Sequence, residues 1–221
     1  MSKSRFPLIG IFGGTFDPIH YGHLRIAEEI VDAVNLQKMY FVPAGIPRLR
    51  RVPVVLPQHR AEIVRLAIQN NPTFILDERE INRDGVSSSI DSVREFKQEF
   101  GEEISLCFVI GVDAFIKLEK WNSWKELFNL CHFIISARPG YVFHSINELL
   151  PKELQKECSQ RWISSADSLR NVTSGLIFIG STTMLDISAT SIRAHIAAGR
   201  SLRYLAPDIV VSYISSNKLY L

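Results

Sequence analysis

An excess of charge of either sign is missing from this sequence: 25 Lys and Arg stand against 23 Asp and Glu in 221 residues, a formal charge of +2. So even a balance provides no general field for wrapping nucleic acid, and any anion binding has to come from local clusters. Cysteine is scarce as well. Cys107, Cys131 and Cys158 form no CxxC pair, and an odd number is a poor disulfide framework. No segment reaches the roughly 18 apolar residues of a membrane-spanning helix. The basic opening MSKSR runs into FPLIGIFGGTFDP, which glycines and an aspartate interrupt before a secretory apolar stretch develops. Glycine (12) and proline (10) are modest and hydrophobic residues reach 46%, which excludes a disordered tail or a fibrous repeat. The expectation is a cytoplasmic protein that meets small anionic molecules, with no nucleic acid and no membrane among its partners.

Short apolar runs lie at residues 6–12, 39–43, 73–76, 106–112, 132–137 and 176–179, separated mainly by amphipathic stretches. That alternation predicts an α/β fold, a mostly parallel sheet flanked by helices. Leu24, Ala27, Ile30, Val31 and Val34 recur at helical spacing, as do Ile63, Val64, Ala67 and Ile68, and Ile90, Val93, Phe96 and Phe100. These stripes are packing signals. Residues 140–167 show no strong strand pattern, and Leu149, Leu150 and Leu154 allow a peripheral helix. No linker or internal repeat forces a second unit, so residues 1–221 are expected to form one domain with a C-terminal helical part at about 188–217 packed on it.

The first strand runs into GIFGGTFDPIHYGH, residues 10–23. Gly13 and Gly14 remove side chains at a strand-to-helix turn and expose backbone N–H groups, and Thr15 adds a hydroxyl donor. The following helix offers its positive end, and His20 and His23, three positions apart, can face one bound anion. An ordinary turn beside two surface histidines accounts for the same residues, and Asp17 before Pro18 can fix that turn as readily as touch a ligand. Neither GxGxxG nor GxxxxGK[ST] occurs. No Cys or third His stands at the local spacing zinc needs, so no protein-held metal is expected.

A second constellation is ISATSIR, residues 187–193. Ser188 is a plausible N-cap, with Thr190, Ser191 and Arg193 in the first turns of the helix, where a polyphosphate can gather N–H groups, hydroxyls and a guanidinium fork. A capped surface helix is the plain alternative. Two anion-ready helix starts at the carboxyl edge of one parallel sheet are more informative than either alone. Gly111 and Asp113 follow the strand LCFVIG and suit close ribose approach or a helix cap. Trp121 suits ring stacking or the core. Arg138 suits a phosphate clamp or solvent, and Arg48, Arg50 and Arg51 form a compact patch after PAGIP. No Ser/His/Asp order identifies hydrolysis.

GGTFDPIHYGH, VPAGIP, FVIGVDAF, Trp121, ARPG and ISATSIR together, in this order, resemble the bacterial nicotinate mononucleotide adenylyltransferases, within the HIGH-type nucleotidyltransferases. The resemblance spans about residues 6–217. It implies a Rossmann-like nucleotidyltransferase fold and transfer of AMP from ATP to nicotinate mononucleotide, with Mg2+ accompanying ATP. By the same resemblance His20, His23 and Arg193 are the catalytic group. Gly13, Gly14, Thr15, Phe16, Gly111, Asp113, Ile187, Ser188 and Thr190 join them at ATP, and Ser89, Trp121, Arg138 and Arg50 belong to the acceptor. Two departures stand out: Pro47, Arg48, Leu49 and Arg50 replace a PPHK or PPHR pattern, and Ser87, Ser88 and Ser89 replace SYT. An amide acceptor, nicotinamide mononucleotide, and a noncatalytic nucleotide sensor are the alternatives, and the chain is expected to be a monomer or homodimer.

Overall fold

The computed structural model describes residues 6–48, 52–137, 143–183 and 185–221. Along them run β1 (Leu8–Gly14), α1 (Tyr21–Val34), β2 (Lys38–Pro43), α2 (Pro57–Ile68), β3 (Phe74–Leu76), α3 (Arg79–Asn82), α4 (Ser89–Phe100), β4 (Ser105–Gly111), α5 (Val112–Phe115) and α6 (Trp124–Leu130). They continue with β5 (His132–Ser136), α7 (Phe143–Leu149), α8 (Lys152–Cys158), β6 (Trp162–Ile163), β7 (Ile177–Gly180), α9 (Ala189–Ala197) and α10 (Asp208–Ser216). Among the described residues every strand pairing is parallel, in the order β3-β2-β1-β4-β5-β7-β6. This is a Rossmann-like sheet flanked by helices. Chain direction across the sheet reverses between β1 and β4, and the connections leaving their carboxyl ends part to opposite faces, opening the crevice where such sheets take ligands.

Side chains alternate across each strand, and both faces are buried. Leu8 and Phe12 enter one core with Cys107, Val109 and Ile134, while Ile9 and Ile11 enter the other with Leu106, Phe108, Phe133 and Ile135. Burial on both faces makes such strands read as unbroken apolar runs. Helix α1 covers the first face through Ala27, Ile30 and Val34. It lies so close to the sheet that a Cβ on Gly180 would collide with Ile30. Asn35, in the left-handed region at φ 52°, ends the helix. Arg170 donates to the carbonyls of Val34 (3.0 Å) and Asn35 (2.7 Å), satisfying groups the helix end would orphan. On the same face Val210 and Ile214 of α10 share a core with Ile63 and Val64 of α2.

Two segments differ from the sequence expectation. β1 runs on to Gly14, so the two glycines are the end of the strand, and the turn is made by residues 15–20. Hydrogen bonding to β2, in register from Gly13 with Val42 and Gly14 with Pro43, extends the strand past its last large apolar side chain. In the uninformative stretch, Trp162–Ile163 adds an edge strand beside β7, too short for any periodicity, and Leu154 and Cys158 of α8 are fully buried. Among the described residues no helix is long and apolar enough to cross a membrane.

Candidate active site

Small residues gather where the central strands end. Gly13 and Gly14 of β1 pair with Val42 and Pro43 of β2, and Gly111, Ser136 and Gly180 are in register across β4, β5 and β7. Gly13 and Gly111 are exposed there, above a sheet otherwise covered on both faces. From Gly14 the chain turns down. Phe16 takes a left-handed conformation (φ 47°) and buries its ring against Phe12, with centroids 5.8 Å apart, and against His23 at 5.2 Å. A Cβ on Gly14 would stand 2.8 Å from the Phe16 ring, so glycine is what lets the turn fold back this tightly.

His20 is the N-cap of α1, and His23 lies in its first turn. Their rings pack against each other at a tilt of 32°, with centroids 3.8 Å apart. Gly22 makes this possible: a Cβ there would lie 2.9 Å from His20 Nδ1 and 3.4 Å from the Ile187 carbonyl. Burial lowers the His20 imidazole to about 4, so the ring is neutral at neutral pH and offers one N–H donor. Its Nδ1 is buried with no hydrogen-bond partner among the described residues.

The contact with Ile187 brings in the second constellation. Ser188 caps α9, its hydroxyl accepting from the Ser191 N–H at 3.1 Å, and Ser188 and Thr190 are exposed. Arg193 Nη1 donates to the Asp17 carbonyl at 2.6 Å, and Nη2 donates to Thr190 Oγ1 at 3.2 Å. The structure therefore joins residues 13–23 to residues 187–193 through one guanidinium, from Arg193 to Asp17, 176 positions apart. Arg193 supplies permanent charge, the neutral imidazole supplies a donor, and the α9 start adds backbone N–H groups. Such a set can hold and polarise a chain of phosphates.

Of the remaining predicted residues, four are described. Gly111 caps the short α5, and Asp113 lies in its first turn. Trp121 is half-buried, its ring edge-on to Phe108 at 5.8 Å. The tip of Phe108 is 3.6 Å from where a Gly13 Cβ would be, which links Trp121 to the end of β1. Ser89 begins α4. Arg50 and Arg138 lie outside the described residues, and Arg48 is exposed. Sequence reading passed over a charged residue under the turn, Arg60, which is fully buried in α2. The signal was available: its neighbours Ala61, Ile63 and Val64 all face the core. A separate concavity of about 740 Å3, where α6 and α8 meet the loop before β7, is lined by Lys125, Lys156 and Arg161. Arg161 there is paired with Glu157 at 2.5 Å, and the sheet's carboxyl edge is elsewhere.

Residues 11–195 match the family model described as cytidylyltransferase-like, which sets the class: a nucleotidyltransferase. A protein of Halorhodospira halophila described as a probable nicotinate-nucleotide adenylyltransferase is 45% identical over 202 residues, covering 91% of this chain and 90% of that one. Another so described, from Acidithiobacillus ferrooxidans, is 37% identical over 220 residues, covering 100% and 99%. The chain belongs to the nicotinate-nucleotide adenylyltransferase family. The fold is also that of Plasmodium falciparum nicotinic acid mononucleotide adenylyltransferase complexed with NaAD, with a TM-score of 0.73, 18% identity and 97% of each chain covered.

Proposed function

We propose that this chain transfers AMP from ATP to nicotinate mononucleotide, releasing pyrophosphate and forming nicotinate adenine dinucleotide. The observation that carries the reading is Arg193, which ties the α9 start to the turn that presents His20 and His23. In this reading a phosphate oxygen of the acceptor attacks the ATP α-phosphorus in line. A bond forms from that oxygen to phosphorus as the bond to pyrophosphate breaks, and no protein nucleophile takes part. Gly13, Gly14, Thr15, Phe16, Ile187, Ser188 and Thr190 line the phosphate path, and His20, His23 and Arg193 bind the oxygens on which charge accumulates. Gly111 and Asp113 serve the adenosine. Trp121 stacks on the pyridine ring, and Ser89, with Arg50 and Arg138, serves the rest of the acceptor.

Magnesium belongs to the ATP substrate here. Among the described residues no group of three or more His, Cys, Asp or Glu is arranged to hold a metal ion. The donor set fits a cation carried on the polyphosphate, whose charge it neutralises. Incubation with ATP, magnesium and each mononucleotide in parallel tests the reading. Faster formation of nicotinate adenine dinucleotide supports it. Preference for nicotinamide mononucleotide overturns the acceptor assignment, and stoichiometric ATP binding without product favours a sensor.

A further inference from the structure

We propose that Arg60 is a positioning residue that fixes the ATP side of the cleft against the acceptor side. The inference rests on the reaction just assigned. Arg60 is fully buried in α2, on a helix whose neighbouring buried positions are apolar. Its guanidinium reaches two separate loops: Nη1 donates to the Thr15 carbonyl at 2.7 Å, and Nη2 donates to the Gly45 carbonyl at 2.9 Å. Thr15 begins the turn after β1, and Gly45 follows the end of β2. The buried Asp17 carboxylate offsets the charge.

Gly45 passes the constraint onward. Its N–H donates to Ser87 Oγ at 2.9 Å, and the Ser87 N–H donates to the Ile46 carbonyl at 2.9 Å. A Cβ on Gly45 would collide with the Glu80 carbonyl, so the strap lies directly on the backbone of α3. Ser87 stands two residues before Ser89 at the start of α4. One planar fork thus fixes the distance between the phosphate turn and the segment leading to the acceptor residues. A lysine ammonium keeps the charge but lacks the rigid fork that meets two carbonyls at once.

The test compares Arg60→Lys and Ser87→Ala with the full-length protein, at a temperature where circular dichroism shows each variant folded. Misplacing reacting groups by about 1 Å can cost about 100-fold in rate. Arg60→Lys is expected to lower kcat per folded molecule by about tenfold or more. Ser87→Ala is expected to raise KM for the mononucleotide at least about threefold, with KM for ATP within twofold. A kcat for folded Arg60→Lys within twofold of wild type overturns the proposal. If Arg60→Lys does not fold, unchanged KM for the mononucleotide in Ser87→Ala overturns it, and the predicted split supports it. If the wild-type protein makes no dinucleotide from either acceptor, the reading of the reaction fails on its own. Amide exchange at residues 14–17 and 45–46 then tests the clamp: faster exchange in Ser87→Ala at 45–46, and in folded Arg60→Lys at both segments, supports it, and unchanged exchange overturns it.

Discussion

Gly22→Ala asks more of the site geometry than any other small change. The added methyl would sit 2.9 Å from His20 Nδ1 and 3.0 Å from its Cε1, against about 3.5–4.0 Å at an optimal contact. The imidazole therefore has to move by about 0.5 Å or more. It is 6% exposed and packed against the His23 ring at 3.8 Å, so it cannot simply swing aside. Overpacking of this kind costs about 1–3 kcal/mol. Replacing glycine by alanine within a helix returns about 1 kcal/mol. The net loss of about 0–2 kcal/mol lowers Tm by at most about 8 °C in a chain of this size. A protein folded at 25 °C is thus expected to lose about tenfold in kcat, because a displacement of this order misaligns the donor. Steady-state assay of pyrophosphate release, beside a thermal melt, measures both. A folded Gly22→Ala variant with wild-type kcat refutes the proposed part played by the His20 ring.

Stability is expected to fall as pH drops from about 6.5 to about 4. Burial lowers both His20 and His132 to about 4, so between these values the unfolded chain binds more protons than the folded one. The stabilisation is complete above the unfolded value near 6.5 and amounts to about 3 kcal/mol for each ring; urea midpoints flat across this range contradict it. His132→Phe is expected to cost about 1–3 kcal/mol at pH 7 and to flatten that slope. It removes the acceptor of the Leu176 N–H and the ring nitrogen facing the Val172 carbonyl. Trp121→Ala is expected to raise KM for the mononucleotide with KM for ATP little changed; unaltered acceptor kinetics in a folded variant reject the stacking role. Cys107, Cys131 and Cys158 are free and buried, and burial pushes Cys107 and Cys158 to about 12. A disulfide reagent is expected to label them only at the rate of unfolding, and rapid labelling of the native protein contradicts their burial.

The sheet was legible because its central strands are buried on both faces, which turns Leu8–Phe12 and Leu106–Ile110 into unbroken apolar runs between amphipathic helices. The two helix starts were legible from local signals, the apolar stripe that follows His20 and the N-cap serine at Ser188. Their meeting was not, since it rests on contacts such as that of Arg193 with Asp17 across 176 positions. Arg60 escaped notice for a general reason. Charge on an amphipathic helix is assigned to the solvent face, although Arg60 stands among the core-facing Ala61, Ile63 and Val64, and the Thr15 and Gly45 carbonyls are what it meets there. The strand at Trp162–Ile163 is formed by its neighbour β7 rather than by any pattern of its own.

The stereochemical course at the α-phosphorus tests direct transfer most sharply. ATP made chiral there with sulfur and an oxygen isotope is converted to dinucleotide, and the configuration of the product phosphorus is determined. A single in-line displacement, with His20, His23 and Arg193 in the proposed roles, predicts inversion. Retention means two displacements through an adenylated protein side chain, and it contradicts direct attack by the acceptor.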